Sequence, residues 1–345
     1  MDMPAGVVAR PLPPARARRA AWQRLLLSDY LVPAVTVLYV LALLPFVPEL
    51  GTLDTALDVL AAMIPLLVVA VGQTFVLIVA GIDLSAPSVI ALASVVGGSI
   101  MTADGGFVSG PLTIPAGLAA FLAVGAVVGL FNGACTSRFG MPSFIVTLTT
   151  TMFCAGAALW YTALNTDDGS SFGDLPDGFI AIAQARVFGL PASLLVALAV
   201  MGAAHLILRR TVLGAWLYAI GLNPRAAAIS GVPVRRVVTI AFVLSGLCAG
   251  IASILYTGRL ETGSPVMGQR ILLDVIGAAV IGGVSLFGGK GGVVQTLYGV
   301  IFLSVIDKGL ELLGLDLSSV FAIKGGVILL AAVLDALRHR MLARG

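Results

Sequence analysis

Residues Asp58 to Ala80 read DVLAAMIPLLVVAVGQTFVLIVA. The only charge is the first residue, and the rest is apolar all the way round a helix rather than along one stripe. A run of about 20 mainly apolar residues is what a helix needs to cross a bilayer, so this stretch reads as a membrane span. Working outward, nine further segments read the same way: Tyr30–Val47, Ser85–Met101, Ile114–Cys135, Ser143–Leu164, Phe188–Leu208, Val237–Thr257, Leu272–Phe287, Val293–Leu313 and Ser318–Leu337. The third and eighth in chain order are short and Gly-rich, and are expected to be tilted or broken. The expectation is an all-α membrane protein of about ten transmembrane helices.

Composition agrees. Of 345 residues 59% are hydrophobic and 11% charged, with a mean hydropathy of +1.07, against roughly 25% charged in soluble domains. That much apolar surface cannot be hidden in one soluble core of this length. A soluble enzyme, a nucleic-acid binder and a disordered regulator are excluded; the partner to expect is the lipid bilayer. Cys135, Cys154 and Cys248 all lie in apolar stretches and His205 and His339 are far apart. No disulfide framework and no metal-ligand spacing is read.

Charge sets the orientation. With the N-terminus inside and ten spans threaded, fifteen Lys and Arg fall inside and three, Arg186, Arg259 and Arg270, outside; this is the positive-inside bias, and it gives an N-in, C-in topology. Residues 1–29 form a cytoplasmic arm with five arginines and no signal-peptide cleavage pattern. Residues 30–337 form the membrane domain, 209–236 a basic cytoplasmic loop inside it, and 338–345 a cytoplasmic tail. The outside loop Asn165–Arg186 is acidic and Gly-rich, with a short helix expected near Phe179–Gln184.

Within the inside loop, Gly221-Leu222-Asn223-Pro224-Arg225-Ala226-Ala227-Ala228-Ile229-Ser230-Gly231 spells a short helix. Asn223 is a good N-cap and Pro224 suits the first helical position. The alanines propagate, Gly231 suits the left-handed C′ position and Pro233 blocks continuation. Its apolar residues are small, so it anchors weakly to lipid; docking of a cytoplasmic partner stands beside an interfacial helix as its role.

Gly81-Ile82-Asp83-Leu84-Ser85 places an acid between long apolar runs, and acids there are costly. Asp83 or Ser85 caps the next helix, or serves a gate; the two are compatible. The neutral polar groups Gln73, Asn132, Thr147, Thr149, Thr150 and Ser245 are candidates for lining a path. They suit an uncharged polar solute. Asp307, Lys308, Glu311 and Lys324 lie within spans near the outer ends, and Lys324 is expected to form a structural ion pair with Asp307 or Glu311. Gly125, Gly129 and Gly133 form one small-residue face, Gly246 and Gly250 a second; packing within the chain is favoured over subunit contact. Gly283–Gly292, GVSLFGGKGG, lacks the Gly spacing and the Ser or Thr of a P-loop, so no ATP site is read. Its echo of Gly81–Ser85 is read as chance similarity ahead of a duplicated unit.

Four stretches together resemble the permease subunits of bacterial ABC importers for monosaccharides, the ribose, xylose, galactose and autoinducer-2 group. They are GQTFVLIVAGIDLS (Gly72–Ser85), NGACTSRFGMPSFIVTLTT (Asn132–Thr150), GLNPRAAAISGVPVRR (Gly221–Arg236) and the run from Ser245 to Gly292; KGGVILLAAVLD (Lys324–Asp335) fits too. The resemblance spans about Leu53 to Leu337. Two departures stand out: Ala86-Pro87-Ser88 where the family has Val-Gly-Ser, and Asp307-Lys308 where it commonly has two asparagines. The resemblance implies a pair of permeases, two copies or one with a paralogue, in the bacterial inner membrane. It implies two cytoplasmic ATPase subunits, which use the ATP and Mg and dock on the loop carrying Gly221, Asn223, Pro224, Arg225, Ala227, Ser230 and Gly231. A periplasmic binding protein delivers the solute, with Arg186, Arg259 or Arg270 expected to meet its acids. The chain itself then carries no cofactor and no catalytic residue. Rival readings are a permease for branched-chain amino acids or nucleosides, and a stand-alone secondary transporter or channel.

Overall fold

The computed structural model describes residues 30–103, 106–166 and 170–343, with side chains to residue 336. The expected N-terminal arm, Asp104, Asp167 and Asp168, and the side chains of the expected C-terminal tail lie outside the described residues.

The chain is a bundle of helices: α1 (Leu31–Leu43), α2 (Leu53–Ile78), α3 (Ala86–Met101), α4 (Thr113–Arg138), α5 (Ser143–Asn165), α6 (Asp177–Gln184), α7 (Ser193–Arg210), α8 (Val212–Leu222), α9 (Pro224–Ile229), α10 (Val234–Leu260), α11 (Leu272–Gly282), α12 (Val293–Leu312) and α13 (Leu317–Ala343). Between α6 and α7, β1 (Arg186–Val187) and β2 (Leu190–Pro191) pair antiparallel. Seven of the described helices are long and apolar enough to cross a membrane; α1, α3 and α11, at 13, 16 and 11 residues, are shorter.

Helix α2 is the hub. Thr52 caps its start, accepting from the Thr55 N–H at 3.3 Å, and every residue from Met63 to Ile78 is buried. A helix that is apolar on all sides needs apolar neighbours on all sides, and α10, α12 and α11 supply them. The outer helices do the reverse. Leu329, Leu330, Trp160 and Phe153 stand 62–75% exposed, which is the surface a bilayer covers.

The two small-residue faces meet each other. A Cβ on Gly125 would overlap the Gly246 carbonyl oxygen, and one on Gly246 the Gly125 oxygen. Helices α4 and α10 therefore touch backbone to backbone, as such faces permit.

Three expected elements change shape. The first span is helical only to Leu43; residues 44–46 turn, Val47 is non-helical ahead of Pro48, and a 3-10 turn follows over Pro48–Gly51. The sixth starts at Ser193 and not at Phe188, because Phe188 and Gly189 both take positive φ (51° and 81°) and turn the β1–β2 hairpin. The loop 209–236 holds a second helix, α8, ahead of the one helix expected there; the Thr211 hydroxyl starts it by accepting from the Gly214 N–H at 3.3 Å. The short helix near Phe179 is present as α6, with the Phe179 ring stacked on Phe121 at 5.8 Å between centroids.

Candidate functional site at the break between α2 and α3

Helix α2 stops in a capped turn. The Gly81 N–H donates to the Val76 oxygen and the Ala80 N–H to the Leu77 oxygen, both at 2.9 Å, with Ala80 left-handed at φ 58°. This is the double bond of a Schellman motif with alanine in place of the usual glycine. The conformation costs a non-glycine residue about 1 kcal/mol.

Residues 82–85 are then non-helical and buried or nearly so. Irregular backbone inside a membrane protein must have its polar groups satisfied by protein, and here side chains do it. Ile82 N–H donates to Ser143 Oγ (3.1 Å), the Ile82 oxygen accepts from Thr147 Oγ1 (3.1 Å), and the Leu84 oxygen accepts from Thr151 Oγ1 (2.9 Å). With its amide oriented to match, Gln73 donates to the Asp83 oxygen at 3.0 Å and accepts from the Asp83 N–H at 3.3 Å.

The Asp83 carboxylate is the end of a directed chain. Thr150 donates to Asn132 Oδ1 (2.7 Å), Asn132 to Ser85 Oγ (2.8 Å), and Ser85 Oγ to Asp83 Oδ1 (2.6 Å). Asp83 Oδ1 also takes the Ser85 N–H at 2.9 Å, and Oδ2 takes Ser245 Oγ at 2.9 Å. These residues are all buried, Asp83 to 3% exposure. The named donors are neutral, so the site is one carboxylate held by hydroxyls and amides. Helices α4, α5 and α10 and the break itself each contribute one arm.

Gln73, Asp83, Ser85, Asn132, Thr147 and Ser245 thus converge. Thr149 does not. Its hydroxyl bonds back to the Ile145 and Val146 oxygens of its own helix, and it borders an apolar groove of about 800 Å³ with Phe131 and Phe153. The reading missed Ser143 and Thr151. Ser143, Thr147 and Thr151 recur every fourth residue, which puts all three hydroxyls on one helix face. On capping, Ser85 stands at the N-cap of α3 without a side-chain cap bond; Asp83 closes the turn ahead of it.

In the loop 209–236, α9 forms as its residues dictate. Asn223 Oδ1 accepts from the Arg225 and Ala226 N–H groups, both at 3.0 Å, and Gly231 is left-handed at φ 84°. Ala227 is buried, while Arg225 and Ser230 are exposed and Leu222 and Ile229 stand 75% and 89% exposed.

At the other end, Arg186 and Arg259 share a cleft of about 450 Å³ with Asp58, Gln184 and Glu261. Arg270 lies apart, at a cavity of about 390 Å³ beside Asp274 and Lys324. Lys324 Nζ stands 2.7 Å from Asp274 Oδ1 and 2.9 Å from Asp307 Oδ1. Of the two partners expected for Lys324, Asp307 is therefore one. Glu311 is not; it meets Lys308 at 3.3 Å, one turn away on the same helix. Asp274, in the first turn of α11, was not singled out because one acid at the start of a short span reads as a helix-end charge. Asp316 caps α13, and the Ser319 hydroxyl and Ser318 N–H hold it below the ordinary carboxylate range.

Residues 55–333 match the family described as "Branched-chain amino acid transport system / permease component". Curated relatives include a ribose import permease protein of Haemophilus influenzae, 33% identical, covering 84% of this chain and 87% of the relative. A D-allose transport system permease protein of Escherichia coli is 32% identical (78% and 79% covered), and an L-arabinose ABC transporter permease protein of Azospirillum brasilense 31% (94% and 92%). No solved structure matches. With 33% identity to a relative matched along 87% of its length, and the family match running from residue 55 to 333, the chain belongs to this family as a multi-pass inner-membrane permease subunit of ABC importers.

Proposed function

We propose that the chain carries a monosaccharide, or a similar neutral polar solute, across the inner membrane, driven by ATP hydrolysed on separate subunits. In this reading α8 and α9 face the cytoplasm and receive two ATPase subunits. A periplasmic binding protein meets the opposite end, where the Arg186–Arg259 cleft offers cations to its acids. A second permease copy or a paralogue completes the pore.

The observation that carries the reading is the α8–α9 corner: α9 is a preformed, capped helix whose Arg225 and Ile229, with Leu222 at the end of α8, stand exposed around the buried Ala227. Exposed apolar residues beside a cation suit a protein partner. The sugar assignment rests on the ribose, allose and arabinose relatives and on the neutral hydroxyl and amide groups that surround Asp83 at the break. The family's description favours a second reading, branched-chain amino acids. At the break Asp83 is already held by two hydroxyls and a backbone N–H, and Lys324 by two carboxylates, so neither offers an unpaired charge to a zwitterion.

The test is uptake by vesicles reconstituted with candidate ATPase and binding-protein partners. ATP-dependent uptake of ribose, allose or arabinose, not competed by leucine or adenosine, is expected. Uptake driven by an ion gradient with the chain alone, or leucine uptake in place of sugar, overturns it.

A further inference from the structure

We infer that Tyr218 and Gly221 on α8, clamped onto the Gly288–Gly291 turn and the end of α2, form the junction through which movement of the docking helix reaches the Asp83 break. The inference rests on the proposed ATP-driven function and assigns two positioning residues to it.

Three elements meet at this point. The Gly289 N–H donates to the Ile78 oxygen at 2.8 Å, tying the turn after α11 to the last residue of α2. Tyr218 Oη donates to the Gly291 oxygen at 2.7 Å. Gly221 has no room for a side chain: a Cβ would overlap both the Ile78 oxygen and the Gly289 nitrogen. Backbone packed on backbone does not compress, so displacement of α8 on this side displaces Ile78. Asp83 follows five residues later, with the capped Ala80–Gly81 turn between.

The other side of the same loop has room. A cavity of about 280 Å³ lies between Ile220, Pro224 and Arg235 on the docking side and Gly81, Thr136 and Ser143 on the other. Thr136 Oγ1 is a buried oxygen without a hydrogen-bond partner among the described residues. Such an atom is costly where it stands, and closing the cavity brings polar groups toward it. Contact on one face and free volume on the other make α8–α9 a rocker with its fulcrum at Gly221, a small rigid-body shift of the kind that packed interfaces convert into discrete states.

The experiment uses the full chain reconstituted with its ATPase and binding-protein partners and ribose as solute, reading ATPase capture, ATP hydrolysis and sugar imported per ATP. Tyr218→Ala is expected to leave capture and hydrolysis intact and to lower sugar per ATP roughly tenfold, and Tyr218→Phe, which keeps the ring, about threefold. An unchanged ratio in Tyr218→Ala overturns the junction while the transport reading stands. So does a parallel loss of capture, hydrolysis and import in both variants, which marks a merely structural role. Failure of the unsubstituted chain to import with ATP sinks the transport reading and the junction with it.

Discussion

Ser245 on α10 donates to Asp83 Oδ2 at 2.9 Å, across 162 residues of chain. A counterpart with the roles exchanged holds the turn after α11: there Ser285 is in the turn and donates to Asp335 Oδ2 of α13 at 3.4 Å. Both turns follow a helix ended by the same pair of bonds, Gly81 N–H to Val76 O with Ala80 N–H to Leu77 O, and Val284 N–H to Ala279 O with Gly283 N–H to Val280 O. Both then use a side chain to accept the N–H two residues on, Asp83 from Ser85 and Ser285 from Phe287. The two turns share a construction, one residue out of register, and each is pinned to a distant helix by a Ser–Asp bond.

Asp83→Ala removes the acceptor for the Ser85 N–H, the Ser85 hydroxyl and the Ser245 hydroxyl. A buried donor left unmet costs about 1–3 kcal/mol, and the hydroxyls can turn elsewhere, so a total near 3 kcal/mol is expected. Thermal unfolding in detergent should fall clearly for Asp83→Ala and less for Asp83→Asn, which keeps one oxygen. Equal stability of Asp83→Ala and the unsubstituted chain would falsify the view that this carboxylate organises the break.

Ser245→Ala and Asp83→Asn share one bond, so their effects should not add. A double-mutant cycle is expected to show coupling of about 1–2 kcal/mol, the range of contacting residues in one network. Additive unfolding free energies would mean the α10 tie is incidental.

Much of this architecture was legible in the sequence because its causes are local. Apolar runs marked the apolar helices, and Asn223, Pro224 and Gly231 marked α9 with its caps, since each acts within one turn of itself. The glycine faces on α4 and α10 were legible as packing faces by their spacing alone. Partnership between distant residues was not. Asp274 reaches Lys324 across 50 residues, and nothing in the neighbourhood of either names the other. Helix α8 was hidden because Arg209, Arg210 and Thr211 end the apolar run before it and mark the start of a basic loop, and a hydropathy reading does not see the Thr211 cap. Polar residues inside the apolar runs were legible as a set; which of them meet was not, and Thr149 differs from Thr147 and Thr151 only in the face of α5 it occupies.

The α4–α10 seam allows no side chain at its centre. Gly125→Val places its Cβ on the Gly246 carbonyl, and relief requires the helices to separate. Overpacking costs about 1–3 kcal/mol where neighbours can yield and more where they are backbone. Gly125→Val should therefore yield an unstable or proteolysed chain, whereas Gly156→Val on α5, where nothing stands within 4 Å, should be tolerated. Equal expression and protease resistance of the two would contradict the seam.

Arg225→Glu reverses an exposed charge on a helix whose own bonds it does not touch, because its N–H rather than its side chain meets Asn223. The chain should insert and unfold as before. Capture of the ATPase partner should weaken by roughly tenfold, the scale of one rim or hot-spot contact, and more at low salt. Unchanged capture at every salt concentration would place the docking surface elsewhere.

Lys324 is 5% exposed between Asp274 and Asp307, and removing it leaves two carboxylates facing each other. Breaking a buried ion pair from one side costs about 3–5 kcal/mol, because the remaining charge is stranded, whereas removing all its members together is often neutral. Lys324→Met should thus lower the unfolding temperature sharply, and Lys324→Met combined with Asp274→Asn and Asp307→Asn should recover most of the loss. If transport also returns in the triple variant, the cluster is a structural tie between α11, α12 and α13. If stability returns and uptake does not, the charges themselves take part in transport, and the neutral-path reading of this chain must give way to one in which Lys324 exchanges partners during the cycle.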